Sequence, residues 1–389
     1  MNIQYLFSSP RGDLQADERT LSRPFLVTPH ENHPFLTLRD YFEGIGRFLL
    51  SNKAHPLLQA LSAVWERPVE LEEIKRILIR SEKHGALYHL ASAEIQTLKS
   101  RAKFAVSAAV TEASRAWLNR EFDLIRSLNE THGFCYLPDV YCKGDVLARP
   151  GKHTETMVMA LSEWFEGFHE WHLSRSGEGG QHMVVWDMES GYRPASHKEH
   201  HAIYREATKI LTLYYDVQNY RHIYPWHHAA GDFLLRTVDG EIDARLTTVR
   251  KYEPIMVFVE KGKMTPWTAL MFFFLTMTLQ MRLDKLDGLG DVVWADQACL
   301  EPILAGFLLG LKEKESAGHY DLGNPENWVA LWKAFSRDEL ARLLQCLLPL
   351  FRNAPPSDIA TIRNHLPDHA EELYLTIQNF RPESPQQAS

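Results

Sequence analysis

Apolar residues recur along the chain at two different periods. Leu38, Tyr41, Phe42, Ile45, Phe48 and Leu49 fall at helical spacing. Thr37 with Asp40 three residues on forms a capping box before them, so a helix is expected to start there. A second helix is expected from about Pro56 to Trp65. The texture then changes near residue 74. Ile77-Leu78-Ile79 reads as a strand, Glu82-Lys83-His84-Gly85 as a turn, Ala86 to Ile95 as a second strand, and Lys103 to Val110 as a third. Trp117, Leu118, Phe122, Ile125 and Leu128 return to helical spacing, with Glu121 in the middle of that helix. Cys135 to Tyr141 and Met157 to Leu161 read as further short strands, separated by the loop formers Gly144 and Pro150-Gly151.

From residue 162 the pattern predicts a mostly helical region. Ser196 and Glu199 form a capping box before Ile203, Ala207, Ile210, Leu211 and Tyr214. The stretch Ile223 to Leu235 carries no helical period. Arg245 to Arg250 and Ile255 to Val259 are read as strands. Helices resume at Trp267 and run to about Asn379, one of them capped by Ser336 and Glu339. The expected fold class is therefore α+β. Residues 1–73 form an N-terminal arm, irregular to residue 36, followed by helices. Residues 74–161 form a small strand-rich lobe with one helix, 162–380 a larger, mostly helical lobe, and 381–389 a tail.

Composition narrows the function classes. The formal charge of −8 argues against non-specific nucleic-acid binding. Cys135, Cys142, Cys299 and Cys346 form no C-x-x-C pair, which points to reduced thiols in a reducing compartment. No basic-then-apolar segment follows Met1. The longest apolar run, Trp267 to Met281, is interrupted by Thr268, Thr276, Thr278 and Gln280, and falls short of the ~20 residues of a membrane span. A cytoplasmic protein with no membrane span and no nucleic-acid partner is expected.

Candidate chemistry centres on histidine. Nine of the 19 histidines lie between His169 and His228, so that stretch is where chemistry is sought. His227-His228-x-x-x-Asp232 combines two imidazoles with a carboxylate, a set that can serve as an oriented general base or ligate a metal. His169 and His172, and His197 and His201, have spacings that share a helix face, but core packing or a solvated face explains them as well. Asp284, Asp287 and Asp291 lack calcium-loop spacing and read better as a helix end with Gly288 just beyond it. There is no G-x-S-x-G, Walker loop or dinucleotide glycine fingerprint.

The order of these elements resembles the protein-kinase-like superfamily, nearest its aminoglycoside and choline phosphotransferase branch. The resemblance spans roughly residues 74–380. Glu121, in Arg120-Glu121-Phe122-Asp123, resembles the small-lobe helix glutamate, and Met157-Val158-Met159 the hinge strand that lines a nucleotide. Trp164 to Gly167 resembles the segment after the hinge, and Gly231-Asp232-Phe233-Leu234-Leu235 the end of the catalytic loop. The resemblance implies a bilobal kinase-like fold. It assigns catalytic roles to His227, His228 and Asp232, metal binding to Asp232, and cofactor contacts to Glu121, Met157 and Met159, with ATP and Mg²⁺ as the group bound.

The chain departs from that pattern at the positions that carry chemistry. No glycine-rich phosphate loop is visible, and the third strand has its lysine, Lys103, at its start. With Asp232 at the position of the loop asparagine, the catalytic aspartate position falls on His227. Thr247-Thr248-Val249-Arg250 occupies the neighbourhood of the metal-binding aspartate, with Asp243 upstream. Phosphoryl transfer needs metal-binding oxygens and a cation on the phosphates. The expected function is therefore a kinase-like protein with a diverged active site, acting as a pseudokinase-like binding or scaffold protein. The alternatives are an atypical metal- and nucleotide-dependent phosphotransferase on a small molecule, and a metal-dependent hydrolase using His227, His228 and Asp232.

Overall fold

A computed structural model describes residues 1–9, 11–28, 31–85, 87–175, 180–187, 191–228, 231–255, 264–288 and 290–382. The chain is α+β and divides into two compact units, Met1–Glu166 and Gly167–Ser389.

The first unit is built on a seven-stranded sheet. Its elements are β1 (Asn2–Phe7), β2 (Leu14–Gln15), α1 (Glu18–Leu21), β3 (Pro24–Thr28), β4 (Glu31–Thr37), α2 (Leu38–Leu49) and α3 (Ser51–Val64). They are followed by β5 (Arg76–His84), β6 (His89–Gln96), β7 (Arg101–Ala109), α4 (Glu112–His132), β8 (Val140–Ala148) and β9 (Glu155–Glu163). Strand order is β2-β1-β5-β6-β7-β9-β8. All pairs are antiparallel except β1 with β5, which run parallel with Ile3 beside Ile77 and Tyr5 beside Ile79.

The two sheet faces differ because side chains alternate. Ile77, Ile79, Phe104, Val106, Met157, Met159 and Leu161 point to one face, against Tyr41, Phe42, Ile45, Phe48 and Leu49 of α2. The approach is close: a Cβ on Gly44 would sit 3.0 Å from Met159 Cε and 3.2 Å from Met157 Sδ. On the other face Leu118 and Phe122 of α4 pack on Ala109, Val158 and Ala160. Both helices begin as the local sequence dictates. Thr37 and Asp40 close a capping box on α2, and Thr111 and Ser114 close one on α4. Gly133 ends α4 with φ +66, a left-handed turn that suits glycine. Residues 1–36, expected to be irregular, instead supply β1 to β4. The short apolar alternation of β1 gains its meaning from a partner more than seventy residues away.

The second unit contains β10 (Glu170–Arg175), β11 (Gln181–Asp187), β12 (Gly191–Pro194), α5 (His197–Leu213), β13 (Arg221–Ile223), β14 (Phe233–Val238), β15 (Glu241–Leu246) and β16 (Tyr252–Pro254). It continues with α6 (Pro266–Gln280), β17 (Leu283–Lys285), β18 (Val292–Trp294), α7 (Leu300–Ser316), α8 (Asn327–Lys333), α9 (Arg337–Leu347) and α10 (Pro356–Asn379). Helices α5 and α7 pack backbone to backbone. A Cβ on Gly306 would lie 2.1 Å from the Arg205 carbonyl oxygen, so only glycine fits there. Lys314 of α7 is buried and donates to the carbonyls of Leu213 and Tyr215 (2.9 and 2.8 Å), completing the end of α5.

Two expectations are corrected here. Residues 170–175, 181–187 and 191–194 are not helical: β10, β11 and β12 form an antiparallel sheet. Strand β10 buries Trp171, His172 and Leu173 together, so it shows no alternation for a sequence reading to find. The Asp284 segment is a β17–β18 hairpin rather than a helix end. The expected strand at Met256–Val259 and the end of the tail, 383–389, lie outside the described residues. Among the described residues no helix is long and apolar enough to cross a membrane.

Candidate functional site

The loop before β14 carries His227, His228 and Asp232, and each meets a different environment. Asp232 is buried, and its carboxylate accepts both Arg250 guanidinium N–H groups at 2.6 Å. It also accepts the His227 backbone N–H at 2.8 Å. Arg250 donates further to the Pro225 carbonyl (3.1 Å), while the Thr247 hydroxyl donates to the Gly231 carbonyl (2.8 Å). The loop is thus tied to the segment after β15, and the carboxylate is held by a bidentate guanidinium, the strongest cationic fork a protein offers.

His228 is fully buried and accepts the Trp171 indole N–H at Nδ1 (3.3 Å), so in its neutral form the proton sits on Nε2. Burial, then the neighbouring His227, His172 and His200, push its pKa down to about 3. It is a neutral core imidazole at physiological pH. His227 keeps 33% of its side chain exposed, and its Nε2 lies 3.9 Å from Oδ2 of Asp358 in the first turn of α10. Burial lowers the His227 pKa, opposed by the charges of Asp232 and Asp358. His227 is therefore the one member of the trio that combines solvent access with a facing carboxylate.

A divalent cation fits this loop poorly. Asp232 would have to release Arg250 before its oxygens could serve a metal. Among the described residues no three His, Cys, Asp or Glu side chains converge as a metal-binding group. Asp243, upstream, is engaged by Arg236 (2.9 Å) and by Arg245.

The residues assigned to cofactor contacts lie in the first unit and are considered within it. Glu121 is buried on α4 and accepts the Tyr88 hydroxyl. Lys103, on β7, lies 3.4 Å from Glu82 and 4.0 Å from the centre of the Trp164 ring. The lysine–glutamate pairing that phosphoryl transfer uses in kinases is therefore not formed by Lys103 and Glu121. Met157 and Met159 are completely buried in the core beneath α2, so their side chains as placed have no access to a ligand. Alternation along β9 turns Val158 and Ala160 to the opposite face instead.

The other histidine pairs separate. His169 stands in extended chain, bridged to Leu235, with Nε2 3.9 Å from Asp187. His172 is buried against Trp186 at 4.0 Å between ring centres. His197 is exposed at the start of α5 and His201 half-buried one turn later. The sequence reading missed Arg250 and Asp358, the partners that decide what the loop can do. Arg250 was visible only as one residue of a departure from a pattern, and Asp358 lies over a hundred residues from the loop.

No protein-family profile matches this chain, and no curated protein matches it. A crystal structure of a kinase domain overlaps it with a TM-score of 0.27 and 11% identity, covering 78% of this chain and 86% of that one. An overlap of that size carries no argument for this chain.

Proposed function

We propose that the chain is a kinase-like protein with a diverged active site that works by binding a ligand or partner rather than by transferring a phosphoryl group. The observation that carries this reading is the engagement of Asp232. Its carboxylate, the chain's best remaining metal ligand under the resemblance, is taken up by Arg250 and the His227 backbone. Support also comes from Lys103, which is turned to Glu82 and Trp164 while Glu121 meets Tyr88. Metal-assisted phosphoryl transfer needs both a free carboxylate and a cation set on the phosphates.

A second reading, acid–base chemistry at His227, is favoured by Asp358. A neutral, partly exposed imidazole facing a buried carboxylate has the form of an oriented general base. That reading covers the metal- and nucleotide-dependent phosphotransferase and the metal-dependent hydrolase, with His227 handling the proton in each.

Thermal unfolding with ATP, ADP and GTP, each with and without Mg²⁺ or Mn²⁺, separates the readings. A ligand at a hundred times its Kd stabilises by about 2.7 kcal/mol, a readily measured shift. The binding reading expects no metal-dependent nucleotide shift. A metal-dependent shift abolished by Asp232→Ala overturns it in favour of the phosphotransferase.

A further inference from the structure

The seven-stranded sheet of the first unit ends in a strand that is paired on one side. β8 follows β9 in the strand order and, among the described residues, pairs with no other strand. Its register with β9 is regular from Cys142 to Ala148, after a shift next to Val140. At the opposite edge, β2 covers Leu6 and Phe7 of β1. An uncovered edge offers a row of backbone N–H and C=O groups to another chain. Charged side chains are the usual protection, so the arrangement of the charges decides what such an edge accepts.

On β8 that arrangement is symmetric about a glycine. The regular stretch opens with Cys142-Lys143-Gly144-Asp145-Val146. Cys142 and Val146 pack towards α2, and alternation turns Lys143 and Asp145 to the α4 face. There the Lys143 ammonium donates to the Asn119 carbonyl (3.1 Å) and the Asp123 carboxylate (2.7 Å), while Asp145 is exposed. A second copy laid antiparallel on this edge about a two-fold axis makes an isologous contact. With Gly144 opposite Gly144 of the copy, each Lys143 faces an Asp145 and each Cys142 faces a Val146. Centring the axis on Lys143 or on Asp145 sets like charges face to face instead, which destabilises a strand pair. The charges therefore admit the copy in the register centred on Gly144 and oppose its neighbours.

We propose that β8 is a self-association surface, on which a second copy of this chain adds its own β8 antiparallel about Gly144 and joins two sheets edge to edge. The pairing is independent of the loop at His227 and of whatever that loop binds. Sedimentation of the full chain over a concentration series is expected to show a monomer–dimer equilibrium. A monomer at every concentration overturns the proposal. Asp145→Lys turns both facing pairs into like-charge pairs at an exposed position, so the fold should stand while the dissociation constant rises about tenfold. An unchanged constant overturns the proposal. Gly144→Cys tests the register. Its new Cβ meets the Phe48 ring at 3.4 Å, an ordinary contact. The two thiols then face each other across the axis within disulfide reach. Mild oxidation with diamide is expected to give a covalent dimer, with the wild type as the control for the native cysteines. Leu147→Cys, further along the strand, sets the two thiols too far apart to bridge. Equal cross-linking at the two positions, or none at Gly144→Cys, overturns the proposal.

Discussion

The two units bury different chemistry. In the first, the core is a sheet face and two helices meeting through aliphatic and aromatic side chains. Its buried carboxylate and imidazole groups among the described residues are His33, His89 and Glu121. In the second, the interior carries His172, Glu206, His222, His228, Asp232, Arg282, Asp284, Lys314, Asp358 and His369. Apolar burial stabilises in proportion to area and is indifferent to pH near neutrality. Buried charges and imidazoles stabilise only while each keeps its partner and protonation state. The first unit is therefore held mainly by area, and the second by area together with a set of specific pairings that pH and single substitutions can undo.

The largest test of that contrast is steric. Gly306→Ala places a methyl group against the backbone of Arg205, which cannot retreat without separating α5 from α7. We expect a loss of about 3 kcal/mol or more. Hydrogen exchange should show it as earlier opening of α5 and α7 with the first unit's strands unchanged. Loss of protection in β5 to β9 as well would show that the units do not respond separately.

Next comes the ion pair. Asp232→Ala leaves Arg250 half-buried without its carboxylate and frees the loop, at a cost of about 3 kcal/mol. A double-mutant cycle with Arg250→Met, read by denaturant unfolding, should recover a large part of that as coupling. Additive losses would mean that Asp232 matters through the His227 backbone alone.

The pH response is smaller and has two opposing parts. Burial pushes His222 down to about 4 and His228 to about 3. The unfolded chain therefore takes up protons that these residues refuse when folded. Their contribution is present at neutral pH and is lost as pH falls below about 6.5. Asp284 runs the other way, its carboxyl raised to about 7 by burial. The stability it contributes is fully present below about pH 4 and is lost as pH rises to about 7. Asp284→Asn removes that loss. The variant should gain progressively on the wild type between pH 4 and pH 8, as measured by urea unfolding at each pH. A constant offset across the range would show that Asp284 titrates as an ordinary carboxyl.

The mildest substitution is Gly44→Ala in the first unit. There the new methyl meets the ends of Met157 and Met159, which are flexible enough to yield. A cost of about 1 kcal/mol or less is expected, against the far larger cost at Gly306. Equal costs at the two glycines would end the claim that the cores differ in how they accommodate change.

The same difference explains what could be read from the sequence. The capping boxes at Thr37, Ser196 and Ser336 stand as expected, because each is a hydrogen-bonding device spanning four residues. The strands β5, β6 and β7 and the Glu121 helix announce themselves by local period. Strand β1 does not, since its partner lies far along the chain. Strand β10 does not either, since burial on both sides erases the alternation. At the candidate site, histidine density picked out the loop, yet the roles within it depend on Arg250 and Asp358. No local pattern links Asp232 to a guanidinium eighteen positions later. The strand holding Met157 and Met159 is legible locally, whereas the face they take follows from register with β7 and β8.

The parallel pairing of β1 with β5 has a kinetic consequence. Asn2 meets Arg76, so 76 − 2 = 74 positions separate the first partners. Closing so long a loop is entropically slow compared with zipping the β5–β6 hairpin beside it. During refolding, β5 therefore spends an interval as an open border, with Ile77 and Ile79 in a strand that any other extended chain could join. The opening residues of the sequence act as the sheet's own selvedge, and shortening them by even a few positions would leave that border exposed to self-association.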